Sequence, residues 1–166
     1  MKSSKVYSFD QAIGRIERYC AYRERCQFEV EEKLRSLGLS ASDIDKLIAR
    51  LIETDFLDEK RFVFAFVTGK FRLKSWGRHK ITQKLKEKRI SNELIDAGLS
   101  EIDEEEYYHT LQELIRSKWE DSMVGAYASK SRIARYTFAK GFETELIWKA
   151  IELCEEESQR SKGNHT

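Results

Sequence analysis

The sequence predicts an all-α protein built from three tandem three-helix, helix-turn-helix-like repeats in an elongated, curved array. Three observations predict it. The 166 residues contain no proline, apolar side chains recur at spacings of three and four, and one apolar pattern returns at a fixed offset of about fifty residues. Proline removes an amide donor and collides with the preceding turn, so its absence leaves long helices unbroken. Leu, Lys, Glu and Arg are plentiful, and each loses little rotamer freedom in a helix. A chain of this length buries roughly 70% of its extended surface on folding, enough for a core without metal or disulfide.

The recurrence defines the helices. Val30, Leu34, Leu39, Ile44 and Ile48 return 51 residues later as Ile81, Leu85, Ile90, Ile95 and Leu99. A further 52 residues bring Ile133, Thr137, Phe142, Ile147 and Ile151, with Thr137 the polar exception. In each copy the first two positions, and the last two, stand four apart, on one face of a helix. Gly38, Arg89 and Gly141 mark the turn between the two helices; a glycine there can adopt the left-handed conformation that ends one helix, and Ser40 or Ser91 starts the next. A fixed recurrence is one supersecondary unit reused, each copy resting chiefly on its neighbours.

The remaining helix of each unit precedes this pair. Ser8 and Gln11 form a capping box that opens a helix through Ile13, Ile16 and Cys20. Asp58 caps the middle one, which runs to about Ser75 through Phe62, Phe66 and Leu73. Its crowding of Phe and Val predicts burial on more than one side, at the centre of the molecule. Asp103 with Glu106 opens the third, through Leu111, Leu114 and Ile115. The repeats then span residues 8–54, 55–100 and 101–157, and residues 1–7 and 158–166 are polar, flexible tails. Phe62, Phe64 and Phe66 are assigned to the core. Tyr107, Tyr108, Trp119, Tyr127, Tyr136 and Trp148 recur at helical spacing and read as packing between repeats.

Composition narrows the setting. Cys20, Cys26 and Cys154 are an odd number, and the start MKSSKVYS has no apolar segment, which fits a reducing cytoplasm. The longest apolar run, within Phe62 to Val67, falls far short of the ~20 residues a membrane-spanning helix needs, so a soluble protein without membrane association is expected.

A net charge of +1 conceals two opposed blocks. Lys60 to Ile90 carries eleven Lys and Arg against the single acid Glu87, whereas Glu93 to Asp121 carries ten acids against Arg116 and Lys118. Lys80, Lys84 and Lys88, four apart, form an outward stripe beside Ile81 and Leu85. Lys70, Arg72 and Lys74 close the preceding helix, and Arg78, Lys86 and Arg89 extend the basic neighbourhood around Trp76-Gly77. Such a surface suits either a phosphate backbone or an acidic protein groove, and solvation of a helix face uses the same residues. Replacing Lys80, Lys84 and Lys88 with Glu is expected to leave helicity intact and remove binding. Trp76, Phe71 and His79 are candidate base-stacking groups, with packing as the alternative role.

Catalysis finds no equipment. The eight glycines are scattered, with neither a G-x-G-x-x-G run nor a Walker-type Gly-Lys-Ser/Thr. His79, His109 and His165 are far apart, and five residues separate Cys20 from Cys26 where a zinc C-x-x-C pair has two. The acids Asp103 to Glu106 and Glu155 to Glu157 read as helix-start or solvent-facing charges. No cofactor, metal or enzymatic activity is expected.

Several motifs share an order with one known family. Asp55 to Ile90, DFLDEKRFVFAFVTGKFRLKSWGRHKITQKLKEKRI, contains Phe56-Leu57-Asp58-Glu59-Lys60-Arg61-Phe62, a basic run, Trp76-Gly77 and the turn Lys88-Arg89-Ile90. Tyr19 to Gly38 places Arg23 and Arg25 before a short helix, and Lys140-Gly141-Phe142 forms a later turn. Together they resemble the RecX family over Ile13 to about Ile151. Asp55 and Arg89 stand where the family has Gly, Glu59 where it has a second Asp, and Cys26 where it has a capping Ser. The resemblance implies a protein that binds the RecA nucleoprotein filament, within its groove or at its growing end, limiting extension and lowering ATPase and strand exchange; a monomer is expected. A module acting on DNA alone is the rival reading. Its second-repeat helix, Arg78 to Lys88, offers lysines and one glutamine, so contact with single- or double-stranded DNA would be weak and non-specific. A helical scaffold for an unrelated acidic partner is a third.

Overall fold

The structure, a computed structural model, describes residues 6–120 and 126–163 and is helical throughout its regular elements. Nine helices follow in order among these residues: α1 (Phe9–Tyr22), α2 (Gln27–Ser36), α3 (Ala41–Glu53), α4 (Glu59–Lys74), α5 (Arg78–Glu87), α6 (Asn92–Leu99), α7 (Glu104–Glu120), α8 (Ala126–Ala139) and α9 (Thr144–Gly163). They form triads in sequence order, an all-α repeat fold as the recurrence predicts.

Each triad opens on a polar cap that satisfies amides the helix cannot pair itself. Ser8 Oγ accepts the Gln11 amide at 3.3 Å, while Gln11 Oε1 accepts the Ser8 amide at 3.1 Å, closing the capping box. Asp58 Oδ1 accepts the Arg61 amide at 3.0 Å to open α4, and Asp103 Oδ1 accepts the Glu106 amide at 2.8 Å to open α7.

The turn between the second and third helices is the same three times. Gly38, Arg89 and Gly141 lie at φ 84°, 60° and 98°. Their amides donate to the carbonyls of Arg35, Lys86 and Phe138, and the following residues, Leu39, Ile90 and Phe142, donate to Leu34, Leu85 and Thr137. These two bonds are the Schellman closure, whose last residue turns its side chain back onto the core. The apolar recurrence is thus the imprint of this closure on the sequence. Of its members only Leu39 and Leu99 are less than fully buried. Thr137 is wholly buried, and its hydroxyl donates to the Ile133 carbonyl at 2.9 Å. A hydroxyl satisfied within its own helix fills an apolar site without stranding a donor.

The chain packs as two compact units, Met1–Phe66 with Leu85–Gly98, and Val67–Lys84 with Leu99–Thr166. Helices α4 and α5 are each shared between them. In the first unit Ala12, Ile16 and Cys20 of α1 pack with Val30 and Leu34 of α2 and with Ile44, Leu47, Ile48 and Leu51 of α3. The second encloses Phe71, Tyr107, Leu111, Ile115, Phe142, Ile147 and Ile151.

Three expectations need correction. On α4, Phe62, Val63, Val67 and Phe71 are buried, Phe64 and Phe66 are half-buried, and Leu73 is 82% exposed. The buried face follows the spacing 63, 67, 71, and Leu73 falls off it. At the end of the chain α9 continues to Gly163, past the predicted tail boundary at residue 158. At the beginning, Tyr7 is tied down: its amide donates to the Leu37 carbonyl at 3.0 Å and the Arg15 guanidinium lies 4.4 Å over its ring. Residues 1–5 and 164–166 lie outside the described residues.

Candidate partner interface

The basic neighbourhood begins where α4 ends. Ser75 takes φ 52°, its amide donates to Phe71, and the Trp76 amide donates to Lys70 at 3.1 Å. A helix C-terminus presents unpaired carbonyls and the negative end of the dipole, which favours cations there. Lys140 supplies one, its Nζ donating to the Lys74 carbonyl at 3.0 Å. Trp76 is half-buried between two ammonium groups, Lys70 Nζ at 5.0 Å and Lys80 Nζ at 4.6 Å from its ring centre. The electron-rich ring face holds both.

Helix α5 then starts against the turn between α8 and α9. The Gly77 amide donates to the Lys140 carbonyl at 2.8 Å, and the His79 amide to the Gly141 carbonyl at 3.0 Å. A Cβ on Gly77 would overlap the Gly141 carbonyl, and one on Gly141 would overlap Lys80. Trp76-Gly77 and Lys140-Gly141-Phe142, separate motifs in the sequence, form a single backbone junction.

A polar network lies beneath it. Arg78 donates to Glu104 at 2.6 Å and to Glu143 at 3.2 Å, and its guanidinium lies 3.9 Å from the centre of the Tyr107 ring. The Tyr107 hydroxyl accepts the Arg78 amide at 3.0 Å and donates to Glu143 Oε2 at 2.6 Å. Burial works against the Arg78 charge, but the bonds to Glu104 and Glu143 outweigh it and hold its pKa above the ordinary arginine value. Burial, reinforced by the Glu143 carboxylate, pushes the Tyr107 phenol well above its usual range. The Tyr107 ring stacks on Phe71 at 5.7 Å and tilts against Phe142 at 5.1 Å.

These contacts sort the predicted residues. Arg78 is a scaffold group. Arg72 reaches both oxygens of Glu106, at 3.2 and 3.3 Å. Lys88 is bound to Glu29, a carboxylate only 11% exposed, at 2.9 Å, and Arg89 lies over Phe28 with Glu31 at 3.7 Å. Lys80, Lys84 and Lys88 are all half-buried. The outward stripe is therefore mistaken, because residues adjoining the buried Ile81 and Leu85 flank the core. The exposed edge of α5 carries His79, Gln83, Lys86 and Glu87. Lys74 and Lys86 are exposed and make no ion pair among the described residues. Phe71 is buried under Tyr107 and does not stack on a base, whereas Trp148, assigned to packing, is 41% exposed. The Tyr127 side chain lies outside what the structure describes.

Sequence reasoning missed Glu143 as a site residue, although a signal existed. It occupies the position of the capping serines Ser40 and Ser91 in the third copy, offset by the same 51 and 52 residues. Those serines accept the amides of Asp43 and Leu94, whereas Glu143 is spent on Arg78 and Tyr107.

Among the described residues no three His, Cys, Asp or Glu side chains converge to hold a metal ion, and no helix is long and apolar enough to cross a membrane. Repeated helical triads among the described residues define the class, an all-α helical-repeat protein. Residues 12–51 match the first three-helix domain of RecX and residues 58–99 the second. The regulatory protein RecX of Chlorobaculum tepidum is 30% identical over 155 residues, which cover 90% of this chain and 92% of that protein. Its counterpart in Lactobacillus johnsonii is 31% identical over 116 residues, 70% of this chain but only 43% of that longer protein. The crystal structure of RecX from Lactobacillus salivarius superposes with a TM-score of 0.78 over 89% of this chain and 96% of that one, at 22% identity. The chain belongs to the RecX family, whose members are regulatory proteins.

Proposed function

We propose that this protein is a non-enzymatic regulator that binds the RecA–DNA filament in the cytoplasm and limits its extension, ATP hydrolysis and strand exchange in recombination and repair. Family membership over both three-helix domains carries the reading. The exposed cations Lys74 and Lys86, with Lys70 and Lys80 gathered on Trp76, supply charge that an acidic or phosphate-lined filament surface attracts. Any ATP chemistry belongs to the recombinase.

The test is RecA-catalysed ATP hydrolysis on single-stranded DNA with this protein added below one copy per recombinase. Inhibition at that ratio is expected. The second reading, a sequence-independent DNA-binding module acting without RecA, draws on the exposed edge of α5, which offers Lys86 for phosphates and only Gln83 and His79 toward bases. It predicts equal inhibition by any basic protein of similar charge, through competition for the strand.

A further inference from the structure

The first compact unit contains a basic groove that lies outside the basic block of the sequence. Arg15 and Arg18 of α1, Arg25 of the following loop and Lys33 of α2 converge on it with Tyr19 and Tyr22, around an open volume of about 540 Å³. No carboxylate among the described residues lines it. Four other arginines of this unit are neutralised: Arg23 by Glu29, Arg35 by Glu32, Arg50 by Glu17, Arg61 by Glu24 and Asp55. The four groove cations have no ion pair among the described residues. They rest instead on neutral groups. Arg15 lies over Tyr7, Arg18 donates to the Gly14 carbonyl at 3.0 Å, and Lys33 stands 5.5 Å from the Tyr19 ring centre. Arg25 stacks 3.7 Å from that ring centre and donates its Nε–H to the Tyr19 carbonyl at 3.1 Å.

Rings and carbonyls orient a cation without cancelling its charge, so the groove gathers four like charges at a cost in mutual repulsion that an anion would remove. Arg25 is only 8% exposed, which fixes its guanidinium, and its remaining N–H groups make no bond among the described residues. At the rim Tyr22 is 85% exposed, unusual for a large aromatic ring. Spaced cations beside an exposed ring match the alternation of phosphate and base along a single strand.

The geometry points to a binding groove for single-stranded nucleic acid on the first three-helix domain, with Arg15, Arg18, Arg25 and Lys33 on the phosphates and Tyr22 stacked on a base. It is distinct from the basic neighbourhood of Lys70 to Arg89 and does not depend on the RecA reading.

The experiment titrates the whole protein with a fluorescent oligothymidylate, without RecA, over a range of salt. Arg15→Gln/Arg18→Gln/Lys33→Gln changes three exposed side chains. It should make the slope of log K against log salt shallower by about 2, at about 0.7 per phosphate contact on a single strand. Tyr22→Ala should weaken strand binding roughly tenfold and leave binding of polyglutamate unchanged. Arg15→Lys/Arg18→Lys should preserve the slope, which separates charge from helix stability. Lys46→Gln, on an exposed lysine of α3, sets the effect of charge alone. A triple variant no weaker per charge than Lys46→Gln, or Tyr22→Ala without effect on the strand, overturns the assignment. So does polyglutamate bound as tightly as the strand, which would make this a site for an acidic protein segment.

Discussion

Gly77 and Gly141 meet backbone to backbone: the Gly77 amide donates to the Lys140 carbonyl, and a Cβ at Gly77 would overlap Gly141 itself. Gly77→Ala is therefore expected to force the start of α5 away from the α8–α9 turn and cost about 1–3 kcal/mol, the range for an overpacked site. Gly141→Ala adds left-handed strain at φ 98° and should cost at least as much. By contrast, a Cβ on Gly14 of α1 would meet nothing within 4 Å, so Gly14→Ala should stabilise by about 0.5–1 kcal/mol. Urea unfolding of the three variants checks the order.

The helical pattern and its turns were legible because one local device writes itself into the sequence. The Schellman closure demands a left-handed residue, an apolar residue after it and a buried partner five back, so Leu34-Gly38-Leu39, Leu85-Arg89-Ile90 and Thr137-Gly141-Phe142 recur together. The site was less legible. Spacing alone cannot tell Lys88, anchored on Glu29, from Lys86, which is exposed, because the carboxylate that decides lies far away in sequence. The Arg78–Glu143–Tyr107 network was hidden for the same reason: its members come from α5, the α8–α9 turn and α7.

Two adjacent tyrosines should respond in opposite ways to losing a hydroxyl. Tyr107→Phe strips the Arg78 amide of its acceptor and Glu143 of a donor, and should cost about 1–3 kcal/mol. The Tyr108 hydroxyl is buried without a hydrogen-bond partner among the described residues, so Tyr108→Phe should leave stability unchanged or raise it by up to about 1 kcal/mol. Chemical denaturation of the pair measures both.

Arg89 fills a left-handed position that glycine occupies in the other two triads, at φ 60°. Its ion pair with Glu31 spans 3.7 Å on a side chain 71% exposed and contributes little. Arg89→Gly should thus raise stability by up to about 1 kcal/mol through relief of backbone strain, despite the greater freedom of glycine in the unfolded chain. Thermal unfolding at fixed pH reads the sign.

Two half-buried glutamates in the first unit should give opposite pH dependences. Burial raises the Glu29 pKa, but hydrogen bonds and charge from Lys88 and Arg23 overcome it, leaving the net value lowered. Its stabilising contribution is present above the unfolded glutamate pKa and is lost as pH falls through the folded value. Glu59 is raised by burial, only partly offset by the Gln27 amide. Its contribution is favourable below the unfolded pKa and is lost as pH rises through the folded one. At pH 7, Glu29→Gln should destabilise and Glu59→Gln should stabilise, and both should approach the parent protein in acid. Denaturation midpoints from pH 3 to pH 7 test the crossing, and parallel profiles would contradict it.

Charge reversal must distinguish contact residues from scaffold. Lys88→Glu places a second carboxylate against half-buried Glu29, so the combined Lys80, Lys84 and Lys88 reversal is expected to lose stability along with any binding. Its failure to bind would say nothing about a surface. Arg78→Gln breaks the bonds to Glu104 and Glu143 and should likewise act through stability. Lys74→Glu and Lys86→Glu alter exposed cations that make no ion pair among the described residues, so each should shift the unfolding free energy by no more than about 0.5 kcal/mol. If the basic neighbourhood meets the RecA filament, the Lys74→Glu/Lys86→Glu double variant should inhibit ATP hydrolysis only at higher protein concentration. Inhibition by the parent should weaken as salt rises, and inhibition by the variant less steeply, because the variant has already lost the screened contacts. Unchanged inhibition by a folded double variant would move the contact surface away from this neighbourhood.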